Sequence, residues 1–197
     1  MATSLLKIFE QNQYNLEAAK QQSRSWFDQQ VLLLRKKRYT VKQVLRDNPA
    51  SLTQKILLGR LYMFVYDAKT KEELPYWDKF PLVFPFKSLS NGFLGINLHY
   101  LPYYMRIRLL DRLMMFASNK KMDENTKLRM TWSMLEGSTK FAAVKPCVKH
   151  YLRSNIKSLF KEVPAKDWTT AMLLPVEQFT GAVSVQVWAD SRKIGRF

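Results

Sequence analysis

Residues 59–113 read GRLYMFVYDAKTKEELPYWDKFPLVFPFKSLSNGFLGINLHYLPYYMRIRLLDRL, and this stretch decides the fold. Three apolar runs, 61–66, 82–86 and 92–101, are each bounded by turn residues and rich in Val, Ile, Phe and Tyr, the pattern of strands. Lys69-Thr70-Lys71-Glu72-Glu73 and Ser88-Leu89-Ser90-Asn91 are the predicted connections. Gly92 and Gly95 predict a bulge or a close backbone approach in the third run. A sheet this aromatic is not stable in water with both faces bare, so helices from either side of it are predicted to cover it. The expected class is α+β, with a small antiparallel sheet of about three to four strands wrapped by helices.

Between the first two runs lies Leu74-Pro75-Tyr76-Trp77-Asp78-Lys79-Phe80-Pro81. Its prolines fix backbone angles and remove donors, which predicts a rigid loop. Tyr76, Trp77 and Phe80 on that loop read first as a lid over the core, and second as a base-stacking or partner surface.

Downstream the pattern turns helical. Residues 103–116 place Met105, Leu109, Leu113 and Phe116 on one stripe, with Arg106, Arg108 and Arg112 off it. Asp123 is a cap for a helix through residue 135, with Leu128, Trp132 and Leu135 on one face and Gly137 as its stop. Residues 146–162 predict a further helix, with Pro146 in its first turn and Val148, Tyr151, Leu152, Ile156, Leu159 and Phe160 as its apolar face. Lys145, Lys149, Arg153, Lys157 and Lys161 recur every four residues there, which on a helix makes a basic ridge roughly 24 Å long. Cations so spaced repel, so phosphates or acidic side chains are expected opposite them; the plainer alternative is a solvated helix face. Residues 164–174 predict one short helix. Residues 181–188, GAVSVQVW, alternate like a half-buried strand that joins the central sheet or a neighbouring subunit's, making Val183, Val185 and Val187 candidate partner-binding residues.

Upstream, residues 4–38 contain no Gly or Pro and predict a helical arm of roughly 50 Å, or a helix broken near 12–15 and folded back. Its apolar positions are sparse at the start, so Leu5, Phe9 and Trp26 are candidates for packing on a neighbour. Arg35, Lys36, Lys37 and Arg38 close the arm. They complement the helix dipole, yet four together exceed what a helix end needs, and phosphate contact is expected. Residues 40–46 and 51–58 predict short helical pieces around the Asn48-Pro49 turn. The expected division is an arm over 1–38, a core domain over 39–180, and a C-terminal strand with a basic tail over 181–197.

Composition narrows the class. The chain has 197 residues, 47% hydrophobic and 13% aromatic, which is globular rather than disordered. Its one cysteine, Cys147, excludes an internal disulfide framework. The N-terminus lacks the pattern of an export signal, and no apolar stretch nears a membrane span. Net charge is +16 with a pI near 10.0, and the excess is confined to two segments. Residues 31–60 carry eight Lys and Arg against Asp47 alone, and residues 101–161 carry thirteen against Asp111, Asp123, Glu124 and Glu136. Positive charge segregated in this way points to nucleic acid or to an acidic protein partner; a basic surface kept for solubility is the bland alternative.

Catalytic signals are weak. His99, His150 and Cys147 match no zinc spacing, and neither a phosphate-cradling glycine loop nor a nucleophile elbow is present. Asp67, Glu72 and Glu73 could hold the magnesium of a nuclease, but such spacing is common by chance. The expectation is a non-enzymatic protein with no cofactor and no metal.

Four segments carry a family likeness: LPYWDKFPLVFPF at 74–86, GFLGINLHYLPYYMRIRLLDRL at 92–113, KPCVKHYLRSNIKSLF at 145–160 and LLPVEQF at 173–179. The span they cover resembles proteins encoded among the virion genes of large contractile-tailed phages of the T4-like type, some labelled DNA end protector or head-completion protein. The resemblance implies assembly in the host cytoplasm, a final place in the virion, and other virion proteins as partners, with several copies in a symmetric assembly. With the charge pattern, it implies a structural protein that binds the DNA backbone without reading sequence, with no membrane partner. The rival is a purely structural neck, tail or baseplate component whose basic faces meet acidic neighbours.

Overall fold

The structure, a computed structural model, describes residues 21, 22, 25, 52–168 and 179–195. Most of the N-terminal arm, with Leu5, Phe9, Trp26 and Arg35 to Arg38, lies outside the described residues. Six strands form one sheet: β1 (Leu52–Thr53), β2 (Tyr62–Met63), β4 (Leu82–Leu89), β5 (Gly92–Asn97), β6 (Val148–Leu152) and β7 (Phe160–Glu162), in the order β1-β7-β2-β4-β5-β6. A separate ribbon pairs β3 (Trp77–Asp78) with β8 (Phe179–Thr180). Every pairing is antiparallel. The class is α+β as expected, with a larger sheet. The additional strands come from 51–58 and 146–162, both of which the sequence pattern assigned to helices.

The third apolar run ends its strand at Asn97 and closes in a 3-10 turn, Leu98–Tyr100. The bulge falls in β4, where the register shifts between Pro85 and Lys87, and not in the glycine-bearing strand. The glycines serve close approach instead. A Cβ at Gly92 would lie 2.0 Å from the Tyr151 carbonyl oxygen, and one at Gly95 would lie 2.2 Å from Val83 Cγ1.

Helices cover one face of the sheet. Helix α1 (Tyr103–Ala117) buries Ile107, Leu110 and Leu113, and α2 (Glu124–Ser138) buries Leu135. They meet Leu82, Phe84 and Ile96 in one core cluster. Fully burying a side chain of this kind is worth about 1.5–3 kcal/mol. The Asp123 carboxylate caps α2 by accepting from the Thr126 amide at 3.0 Å. Gly137 does not stop the helix, which runs on to Ser138. Arg106, placed off the apolar stripe by sequence, is buried. Its Nε donates to the Leu98 carbonyl at 3.0 Å and a terminal nitrogen to that of Leu101 at 3.2 Å, which ties α1 to the 3-10 turn.

On the other face the described residues form an aromatic cluster. Phe64 sits edge-on to Phe160, Tyr151, Phe93 and Tyr66, with ring centroids 5.1, 5.2, 6.0 and 6.3 Å away. No described helical residue enters this cluster. Among the described residues the sheet curls over its own aromatics; the helices expected from the N-terminal side lie outside the described residues. Strand twist begins the curl, and the chain after β6 completes it by running back along 61–67. Tyr66 bridges to Ile156, the Lys157 amide donates to the Val65 carbonyl at 2.8 Å, and the Val163 amide donates to that of Leu61 at 2.8 Å.

The last segment is also corrected. Residues 184–195 form helix α3 (Ser184–Gly195), entered through Gly181 at φ +91°, rather than the strand that the Val alternation predicts. It docks through Val187, which is buried, and through Trp188, whose Nε1 donates to the His99 carbonyl at 2.9 Å. Val187 is thus a core residue, while Val183 and Val185 are exposed.

Candidate nucleic-acid interface

The basic ridge expected on a 146–162 helix does not form. Its five cations fall on five successive pieces: Lys145 on the 3-10 turn Lys145–Cys147, Lys149 on β6, Arg153 on the 3-10 turn Arg153–Asn155, Lys157 in the link, and Lys161 on β7. The apolar positions fit a helical period, but β5 offered an open edge. Gly92 lets the Tyr151 backbone come close enough to pair there. Extended pairing also separates lysines that a helix would have crowded together.

These side chains have different surroundings. Lys145, Arg153 and Lys157 are exposed. No carboxylate pairs with any of them among the described residues, whereas Arg60 is held by Glu162 at 2.9 Å and Lys71 by Asp67 at 3.1 Å. The Lys157 ammonium donates only to the Ser154 carbonyl, at 3.1 Å. Lys161 is 9% exposed, and burial depresses its pKa. Lys149 lies over the Tyr100 ring, Nζ 3.9 Å from the centroid, a cation–π contact. Burial likewise depresses its pKa.

Lys149 belongs to a cleft of about 410 Å³. One wall is β6, with His150 and Tyr151; the other is the chain from Tyr66 through the Lys69-Thr70 turn to Tyr76, Trp77 and Asp78. The residues of the proline-bearing loop divide between core and cleft. Phe80 lies fully in the core, while Tyr76 and Trp77, half-buried, face the cleft.

Beneath the cleft is a polar cluster that sequence reasoning missed. The Asp78 carboxylate accepts from Asn97 Nδ2 at 2.8 Å and from the Phe80 amide at 3.1 Å, and it faces His99 Nδ1 at 2.8 Å. The His99 amide donates to Asn97 Oδ1 at 3.0 Å, and His99 Nε2 is buried without a partner. Because the His99 side chain is 0% exposed, no substrate atom reaches it, and the pair pins the β3 loop to the end of β5. The signal was present: Asn97 and His99 are the polar residues inside an otherwise apolar run, which marks a buried polar network. Burial, with the charge of Asp78 adding, pushes the phenols of Tyr100 and Tyr151 upward, and burial pushes the Cys147 thiol up to about 12. Cys147 is accordingly an inert core thiol.

No group of three or more His, Cys, Asp or Glu that could hold a metal ion occurs among the described residues, and Asp67 is engaged by Lys71. No described helix is long and apolar enough to cross a membrane.

Fold and cleft together define a basic α+β protein whose aromatic cleft is lined by Lys69 and Lys149, neither paired with a carboxylate among the described residues. Residues 4–191 match the family described as Phage T4 terminal DNA protecting protein, and the chain belongs to that family. It is a DNA end protector-like phage protein, in line with the resemblance carried by 74–86, 92–113, 145–160 and 173–179. No curated protein and no solved structure matches it.

Proposed function

We propose that this protein is a non-enzymatic component of a tailed-phage virion that covers the ends of linear duplex DNA at the head or neck. It holds them by phosphate contacts that do not read sequence. The observation that carries this is the set of exposed cations on either side of β6, Lys145, Arg153 and Lys157, which have no carboxylate against them among the described residues of a member of a DNA-protecting family. Phosphate oxygens supply the missing counter-charge, and because every nucleotide carries one, such contact is independent of sequence. Arg35, Lys36, Lys37 and Arg38 add four cations to the same role. Lys161 is assigned to the fold instead, since it is buried.

The test is salt. Affinity for a linear duplex should fall steeply between about 50 and 200 mM salt, with a log–log slope of about −0.9 per phosphate neutralised. Lys145→Glu, Arg153→Glu and Lys157→Glu together should lower affinity about a hundredfold at low salt while leaving the circular dichroism spectrum unchanged. Binding that ignores both salt and these reversals would overturn the proposal. Val183, just before α3, and Val185 on its outer side, each 68% exposed, favour a second role alongside it, a contact with a neighbouring virion protein.

A further inference from the structure

We propose that the cleft between β6 and the 66–78 segment receives a single unpaired nucleotide from the end of the duplex, its base against Tyr76 and Trp77 and its phosphate at Lys149. This rests on the reading that the protein covers DNA ends, and it names the part of the end that is held.

Size comes first. A cleft of about 410 Å³ lies within the range of small-ligand sites and is far too small for a base pair flanked by its neighbours. Its walls carry Tyr66, Tyr76, Trp77 and Tyr100, and base–aromatic stacking accepts any base because every base has a π face. Charge fixes the orientation. Lys149 is stacked on Tyr100 with no carboxylate beside it among the described residues, so an arriving phosphate supplies the anion it lacks. Lys69, on the opposite wall, also lines the cleft and adds a second cation. The Asp78 carboxylate lies below the cleft, 3% exposed and held by Asn97, the Phe80 amide and His99, so it does not meet the base; the aromatic rings take the base and Lys149 takes the phosphate. The interior of a duplex offers no unpaired base without the cost of flipping one out, whereas an end frays readily. The cleft therefore selects termini over interior sites, which the exposed cations alone do not.

The experiment places 2-aminopurine at the last position of a linear duplex, or at its centre, and follows its fluorescence with the full-length protein. The same sequence closed by hairpin loops at both ends is the end-free competitor. The expected result is a fluorescence change at the terminal position only, and about tenfold tighter binding of the linear duplex than of the closed one. Lys149→Met and Trp77→Leu should each remove that preference while leaving affinity for the closed duplex as it was. If linear and closed duplexes bind with equal, salt-sensitive affinity, the cleft assignment fails and phosphate binding stands. If neither binds at low salt, both fail. If free deoxynucleoside monophosphate saturates the cleft while the terminal reporter stays silent, the cleft binds nucleotides but not DNA ends, and the assignment fails. The reporter is read on the unaltered protein, so a variant that does not fold leaves the test intact.

Discussion

Gly92 has room for a hydrogen and nothing larger. Its Cβ position lies against the Tyr151 carbonyl, in the backbone of the strand it pairs with, and backbone cannot swing aside. Gly92→Ala should therefore cost about 1–3 kcal/mol and lower the urea midpoint. Gly137 is the opposite case. It lies inside α2 with nothing within 4 Å of a new Cβ, so Gly137→Ala should gain about 0.5–1 kcal/mol. An unchanged midpoint in the first variant, or a fall in the second, would contradict these packing assignments. The two residues also mark what the sequence can say about glycine. Gly92 was legible as a close approach because it sat in a strand pattern. Gly137 was misread as a helix stop; α2 runs one residue past it, to the buried Ser138.

Among the elements, those set by local chemistry were legible and those set by distant partners were not. Asp123 announces α2 through its cap, and Pro102 precedes α1 without need of other chain. Strand β6 has no such signal. Its apolar spacing fits a helix, and it is extended because an edge from residues 92–97 lies beside it. The basic ridge vanished with that helix, so the cations were legible as charge but not as a surface. Helix α3 is the mirror case, with alternating valines that read as a strand and are helical because Val187 and Trp188 dock on the turn at 98–100. A pair of variants tests this: Val187→Asp should destabilise the protein by about 3 kcal/mol or more, and Val185→Asp, on the solvent side, should leave thermal stability within about 0.5 kcal/mol. Equal effects would mean that the helix is docked on another face.

For the whole molecule, the curled aromatic face sets the response to alkali. Burial holds the phenols of Tyr62, Tyr66 and Tyr151 above their ordinary value of 10.0. The folded chain keeps protons that the unfolded chain gives up, so the stability these groups contribute is complete below the ordinary value and is lost as pH rises through the folded-state values. Lys149 and Lys161, depressed from 10.5, act in the reverse sense just below that pH, but are fewer. The denaturation midpoint should hold to about pH 10 and then fall, with the tyrosinate absorbance owed to Tyr62, Tyr66 and Tyr151 appearing only with unfolding. All nine tyrosines ionising before unfolding would mean that these rings are not enclosed.

That enclosure also governs how the chain comes to be folded. Tyr62 pairs with Glu162, and the Arg60 guanidinium holds the same glutamate across a sequence separation of 102. Contacts so far apart must wait until residue 163 has left the ribosome, and until then β2, β4 and β5 present Phe64 and Phe93 to water. High contact order of this kind belongs to domains that fold in milliseconds to seconds rather than microseconds. Until β7 arrives, an unsealed aromatic sheet is at risk of aggregation.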